Sequence, residues 1–333
     1  MNFKKVVVVG GGVLGSQIAF QTAYCGFEVV ILLRSEESIK RTKTKVDGLR
    51  EKYLKIIDNI KNMPKSNINE IKSRELKFIE EMKLTDVIPR GLSEKTNLSN
   101  KEIEEMKKKV EKAFKELKLT TNFEEACKNA DLVIESIAEN LEQKKEMYET
   151  LAKYLDKKAI LVTNSSTLLP SKLASYSDRP EKFLGFHFAN EIHKFNLVEI
   201  MPHPGTDKKY FDIMEDFAKK INMVPIKIFK EKANYIINSL LRPYIQNALE
   251  LWVDGVAEPK IIDLTFKTAL NAPFGPFESL DIIGISSMYY IRSMDPQRNV
   301  EGTYNCKIFK KIKEMYDAGK LGRSTGEGFY KYK

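Results

Sequence analysis

VVVVGGGVLGSQIAF, residues 6–20, decides how this chain is read. A β-branched run breaks at consecutive glycines and resumes with small and apolar residues at helical spacing. Counted from Gly10, the pattern is Gly10-x-Gly12-x-x-Gly15, set between a predicted strand (Lys5–Val9) and a predicted helix from about Val13. Glycines alone also make a tight structural turn. In strand–turn–helix order they suit a dinucleotide loop. Gly10 permits the turn, Gly12 lets backbone approach a pyrophosphate, and Gly15 lets helix and strand pack closely. The phosphates would then meet the free N–H groups and positive dipole end of the helix, beside Val13 and Leu14.

Working outward, FEVVILLR (27–34) predicts a second strand. Residues 35–118 are dense in Lys and Glu, carry apolar residues at helical spacing, and are broken by Pro64, Pro89 and Gly91. They predict two or three long surface helices with a loop near 84–100, forming either a solvated insertion or a basic clasp over a polyanionic ligand. Strand and helix then alternate again: ADLVIESIAEN (130–140), a helix over 141–155, AILVTNSS (159–166), KFLGFHF (182–188), NLVEIM (196–201) and PIKIFK (225–230). This predicts an α/β fold, a doubly wound Rossmann-type domain over 1–230 with a helical insertion after its second strand. Beyond Glu231 the strand signals stop. Ile236, Leu240, Tyr244, Ala248 and Trp252 fall at four-residue steps and predict a long buried helix despite Pro243; another starts at Pro259. A small all-α domain, 231–333, would close the chain.

At 333 residues the chain can fill two such domains. It is 42% hydrophobic and 30% charged, and no apolar run approaches a membrane span. Met1–Lys5 leads straight into a strand, so no signal peptide is expected. Cys25, Cys127 and Cys306 lie far apart without metal-type spacing, as suits a reducing cytoplasm. The net charge of +9 favours anionic partners. No basic stripe with interleaved aromatics marks a nucleic-acid reader, so a phosphate-rich small molecule is expected instead.

The histidines, His187, His193 and His203, fall within seventeen residues. His187 ends a predicted strand and Glu199 follows twelve residues later on the next, a spacing that brings imidazole and carboxylate together across adjacent strands. A carboxylate on one ring nitrogen fixes the tautomer and frees the other for proton transfer. A strand-end histidine can equally be structural. A metal site using the three histidines with Glu191 or Glu199 lacks the short ligand spacing of common zinc sites, so no metal is expected. Asn164, Ser165 and Ser166 follow a strand, where substrates lie in open α/β sheets, although such hydroxyls also cap helices. No G-x-S-x-G elbow surrounds Ser166, so it reads as an anchor rather than a nucleophile.

The second strand carries a cofactor expectation. An NAD site in this fold places an acid at that strand's end for the adenosine ribose. Here the position is Leu33, followed by Arg34 and Ser35, a guanidinium and a hydroxyl suited to the 2′-phosphate of NADP. NADP(H) is therefore expected over NAD(H), although Gly15 is more typical of NAD sites and Glu36 and Glu37 stand close to Arg34. The alternative is that Arg34 lies over the adenine face and specificity is relaxed.

Together, VVGGGVLGSQIA, ADLVIESIAENLEQKKEMY, NSST, GFHFAN with LVEIM, NYIINSLLRPYIQNALEL, APFGPFESLDIIG and LGRSTGEGFYKYK resemble the L-3-hydroxyacyl-CoA dehydrogenase family, which includes the 3-hydroxybutyryl-CoA dehydrogenases. The resemblance spans nearly the whole chain outside 35–118. It implies interconversion of 3-hydroxyacyl-CoA and 3-ketoacyl-CoA, with His187 as catalytic base, Glu199 orienting it, and Ser166 and Asn238 on the reacting oxygens. It also implies that Glu139 and Lys144 line the cofactor pocket with Asn164, and that the C-terminal domain forms a homodimer. A CoA substrate would draw on the basic helices, for which Lys40, Lys43 and Lys45 are nominated. Three positions depart from the family pattern: Glu191 replaces a proline, Asn234 a glycine and Ser239 an arginine. SSTLLPSKL and LVEIMPHPGT also resemble the lambda-crystallin and L-gulonate dehydrogenase branch, which oxidises free hydroxy acids. A non-catalytic nucleotide-binding protein is the further alternative.

Overall fold

Strand β1 (Lys5–Val9) is buried along its whole length, the mark of a central strand covered on both faces. Its side chains alternate between two cores. Val6 and Val8 pack with Ile18, Ile31 and Ile134 on one face, Val7 and Val9 with Val30, Val133 and Leu161 on the other. In the computed structural model, which describes residues 3–61 and 98–332, β1 lies within an eight-stranded sheet of order β3-β2-β1-β4-β5-β6-β7-β8. The other strands are β2 (Glu28–Leu32), β3 (Lys118–Thr120), β4 (Leu132–Glu135), β5 (Ile160–Thr163), β6 (Phe183–Phe188), β7 (Leu197–Pro202) and β8 (Val224–Lys227). Strands β1 to β6 run parallel; β7 reverses against β6, and β8 runs parallel to β7. The chain moves one way from β1 to β3 and the other way from β4 onward. The switch point therefore falls between β1 and β4, where open α/β sheets hold ligands.

Helix α1 (Val13–Tyr24) follows β1 directly. Helix α2 (Glu36–Lys61) and the helix Asn100–Glu116 lie within the predicted insertion, and neither is merely a surface element. Val46, Leu49, Tyr53 and Ile57 on the first, with Ile103, Met106, Val110 and Ala113 on the second, are buried in the same core as α1. The charged residues between them supply the solvated face of each amphipathic helix. The 100–116 helix begins with a capping box between Ser99 and Glu102. The insertion was expected to run to 118, but β3 starts there. Three residues are too short a run for periodicity to register. Pro64, Pro89, Gly91 and most of the loop predicted near 84–100 lie outside the described residues.

The chain divides into two compact units, Met1–Tyr235 and Ile236–Lys333. The predicted boundary at 231 falls short of this by five residues because residues 231–235 are tied to the first unit. The Glu231 carboxylate accepts from Ser171 N–H, Asn234 N–H donates to the Ser166 carbonyl, and Tyr235 packs with Met201 and Ile228.

The second unit is helical, comprising Ile237–Val253, Pro259–Leu270, Pro276–Ile283, Ile285–Ser293 and Tyr304–Asp317 with short turns. The stripe expected to bury its first helix is buried only in its C-terminal part, where Ala248 is in the core and Tyr244 and Trp252 pack partly buried against it. Leu240 is 68% exposed and Ile236 is exposed, whereas Ile245, Ala248 and Leu249 enter the core with Phe277, Leu280 and Ile308. Leu241, Tyr244 and Ile245, then Ala248 and Leu249, carry the i, i+3, i+4 spacing toward the core. Among the described residues no helix is long and apolar enough to cross a membrane.

Candidate active site

The loop after β1 builds a cavity of about 660 Å³ at the switch point, lined by Gly10–Gly12, Leu33, Arg34 and Ser136–Ala138. The glycines differ in what they are for. A Cβ on Gly15 would lie 2.2 Å from the Gly10 carbonyl oxygen, so Gly15 is needed for strand–helix packing. Gly10 has φ +105° and would strike the Ser136 carbonyl at 2.5 Å. A Cβ on Gly12, in contrast, meets nothing within 4 Å. Gly12 is also the N-cap of α1, with no side-chain cap and no acid in the first turn. An open, uncapped helix N-terminus facing a cavity is what a pyrophosphate requires, so these residues fit a dinucleotide. Val13 is exposed and Leu14 packs against the core.

At the end of β2, Leu33 is buried against the glycine loop and Arg34 lines the cavity. Ser35 does not line it. Its Oγ accepts from Ser38 N–H at 3.3 Å, at the start of α2. Ser38, Arg41, Thr42 and Lys45 line the cavity instead, and Arg41 Nη2 donates to Ser38 Oγ at 3.3 Å. Sequence reading missed Ser38, Arg41 and Thr42. Their spacing (i, i+3, i+4, i+7 with Lys45) marked one face of a helix leaving β2, and that was the available signal. Lys45, nominated for CoA, lies in this cavity; Lys40 and Lys43 are exposed and do not line it.

Glu139 and Lys144 are also absent from the cavity lining. Lys144 is 1% exposed and donates to Glu135 Oε1 at 2.6 Å, and the same carboxylate accepts from Tyr148 and Thr163. Glu139 Oε1 accepts from Ser165 Oγ, Thr167 N–H and Leu168 N–H at 2.6–3.0 Å. Burial alone would raise the Glu139 carboxyl, but the bonds from Ser165 and Thr167 outweigh it and hold it below the ordinary range. Lys144 therefore ties helix Leu141–Tyr154 back to β4, while Glu139 holds together the loops that follow β4 and β5. Asn164 acts likewise: its Nδ2 donates to Ser136 Oγ and its Oδ1 accepts from Phe188 N–H.

Those loops frame the histidine. His187 and Glu199 are register partners on antiparallel β6 and β7, and both are buried. His187 Nδ1 lies 2.9 Å from Glu199 Oε2 and its Nε2 lies 3.2 Å from Ser166 Oγ. With Nδ1–H donating to the carboxylate, Nε2 is the nitrogen turned toward the serine. The other histidines are elsewhere. His203 Nε2–H donates to the Pro180 carbonyl while its Nδ1 accepts from Gly205 N–H. His193 is buried beside the Tyr53 ring. Among the described residues no three His, Cys, Asp or Glu side chains converge as a metal site. The acid at Glu191 is neutralised by Lys52 at 2.7 Å and Lys194 at 3.3 Å. Asn238 lies in the first turn of helix Ile237–Val253, in the second unit.

Comparison with known proteins gives the family. Residues 5–74 and 77–232 match the model of the 3-hydroxyacyl-CoA dehydrogenase NAD binding domain, and residues 235–332 that of the 3-hydroxyacyl-CoA dehydrogenase C-terminal domain. The mitochondrial hydroxyacyl-coenzyme A dehydrogenase of Rattus norvegicus is 30% identical over 334 residues, covering 99% of this chain and 91% of the relative. The 3-hydroxybutyryl-CoA dehydrogenase of Clostridioides difficile is 29% identical, covering 98% and 99%. Among solved structures, a diketoreductase described as acting on dicarbonyl compounds superposes with TM-score 0.79 and 36% identity over 100% of both chains. The (S)-3-hydroxybutyryl-CoA dehydrogenase of Ralstonia eutropha, at 23% identity, TM-score 0.67 and 100% of both chains, shares the fold. Glycine loop, family models and relatives converge: this chain is an oxidoreductase belonging to the 3-hydroxyacyl-CoA dehydrogenase family.

Proposed function

We propose that the chain reduces 3-ketoacyl-CoA to 3-hydroxyacyl-CoA with NADPH, with His187 as the proton-transfer group. The observation that carries this is the line Ser166–His187–Glu199, with 3.2 Å and 2.9 Å contacts on the two ring nitrogens. A secondary alcohol and a ketone differ by a hydride and a proton; the nicotinamide supplies the hydride chemistry when bound. The chain supplies the proton. His187 Nε2–H gives it to the carbonyl oxygen in reduction and Nε2 takes it back in oxidation. Ser166 Oγ, beside the same nitrogen, holds that oxygen. Glu199 keeps Nδ1 protonated and the ring in place. Gly10, Gly12 and Gly15 hold the dinucleotide. Leu33 removes the acid that would repel a 2′-phosphate, and Arg34, Arg41 and Lys45 add cations to the same cavity. Lys40 and Lys43 remain the proposed contacts of the CoA phosphates.

The test is kcat/KM for NADPH against NADH with acetoacetyl-CoA, in wild type, Leu33→Asp/Arg34→Gln and His187→Gln. We expect NADPH preference in wild type, reversed in the double variant. His187→Gln should lose ~10²–10⁴-fold in turnover and keep cofactor affinity. Wild-type preference for NADH overturns the cofactor assignment, and near-normal turnover of His187→Gln overturns the relay. A second reading, a free rather than CoA-linked substrate, is favoured by the 36% identity to the diketoreductase. Free 3-hydroxy acids, L-gulonate and a free dicarbonyl compound in the same assay separate the two.

A further inference from the structure

Tyr235 is fully enclosed, and its ring stacks on the His187 imidazole with centroids 4.4 Å apart and planes within 21°. Three features of the chain converge to place it there. Asn234 and Tyr235 both adopt left-handed backbone, φ +70° and +52°, an uncommon conformation for non-glycine residues and a costly one for an aromatic. The kink is pinned by Asn234 N–H donating to the Ser166 carbonyl at 2.9 Å, and Ser166 is the residue whose Oγ meets His187 Nε2. Room for the phenol comes from Gly185, two residues before His187 on the same face of β6. A Cβ at Gly185 would lie 2.2 Å from Tyr235 Oη and 3.2 Å from Cζ.

We propose that Tyr235 is a positioning residue that holds the plane of the His187 imidazole, in a slot kept open by Gly185 and secured by the Asn234–Ser166 bond. The imidazole is thus fixed on both ring nitrogens and on one face. Glu199 and Ser166 set its direction in plane, and the Tyr235 ring blocks rotation out of plane. This rests on the reading of His187 as the proton-transfer group.

The experiment uses the full chain, with steady-state kinetics and cofactor binding by fluorescence titration measured side by side. Tyr235→Phe keeps the ring and is expected within about 3-fold of wild-type kcat. Tyr235→Leu is expected to lose ~10–100-fold in kcat, the cost of misplacing a reacting group by about 1 Å, with cofactor affinity unchanged. Gly185→Ala pushes the phenol off its seat and should show the same kcat loss. Removing the hydroxyl in Gly185→Ala/Tyr235→Phe deletes the closest clash and should recover most of it, while unchanged cofactor affinity in Gly185→Ala separates misplacement from loss of fold. Wild-type kcat in Tyr235→Leu, or a double variant no better than Gly185→Ala, overturns the proposal. If His187→Gln is inactive while Tyr235→Leu is unimpaired, only the positioning role fails; if His187→Gln is active, the underlying reading fails.

Discussion

His193 is a histidine that the proposed chemistry does not use, and its burial has a consequence for stability. Neither ring nitrogen meets a hydrogen-bond partner among the described residues. Burial, then the positive charge of Lys52, holds its pKa at about 4, with Glu191 opposing. An unfolded histidine titrates near ~6.5. Between these values the unfolded chain binds the proton and the folded chain does not, so stability falls as pH drops through that window. The shift corresponds to roughly 3 kcal/mol over the full window. Urea unfolding of wild type and His193→Phe at pH 7.5 and pH 5 reads it: wild type should lose stability relative to the variant at the lower pH. A constant difference between the two would show that His193 does not titrate there. Asn234 shows the same logic in the backbone. It occupies a left-handed position where the family pattern has glycine, and asparagine is among the residues that tolerate this conformation best.

Gly12 at the turn between β1 and α1 and Gly15 in the first turns of α1 are separable by substitution. Gly12→Ala adds a methyl group to open cavity space, so the fold should be unaffected while nucleotide binding weakens by an order of magnitude or more. Gly15→Ala drives a Cβ to 2.2 Å from the Gly10 carbonyl, so the strand and helix must part and stability should fall by several kcal/mol. Thermal unfolding with cofactor titration distinguishes them; equal losses of stability would mean that Gly12 is also structural. The antiparallel pair β6–β7 makes a comparable point about the proposed proton-transfer pair. A one-residue slip of register would turn Glu199 to the other face of the sheet, so the pairing of His187 with Glu199 rests on the whole ladder from Leu184–Pro202 to Phe188–Val198.

The second unit keeps an apolar face uncovered. In helix Pro259–Leu270 the buried side chain is Asp263, accepting from Phe277 N–H, Glu278 N–H and Tyr330 Oη, while Ile261, Leu264 and Leu270 are exposed. Other large residues of the unit are satisfied within it: Phe277 is fully buried and Trp252 packs edge-on against it. The unsatisfied surface is a different set, and it is the one we propose pairs with a second copy of the chain. Sedimentation of wild type should give a dimer at micromolar concentration, and Leu264→Glu should give a monomer. A monomeric wild type would end the dimer proposal.

Sequence alone determined the dinucleotide loop, because strand, glycine spacing and helix are all local. It determined the doubly wound order of elements and placed His187 and Glu199 on neighbouring strands, since a twelve-residue hairpin constrains where its ends meet. It also showed Leu33 where an acid would stand. Tertiary structure decided which side chains those elements share. Arg41 reaches the cavity because α2 starts beside the glycine loop; Lys144, on helix Leu141–Tyr154, does not line it and is held by Glu135 of β4. The stacking of Tyr235 on His187 joins residues forty-eight positions apart through a kink, a glycine slot and a serine carbonyl. No periodicity records such a contact, because periodicity reports which face of an element is apolar and not what another element brings to that face.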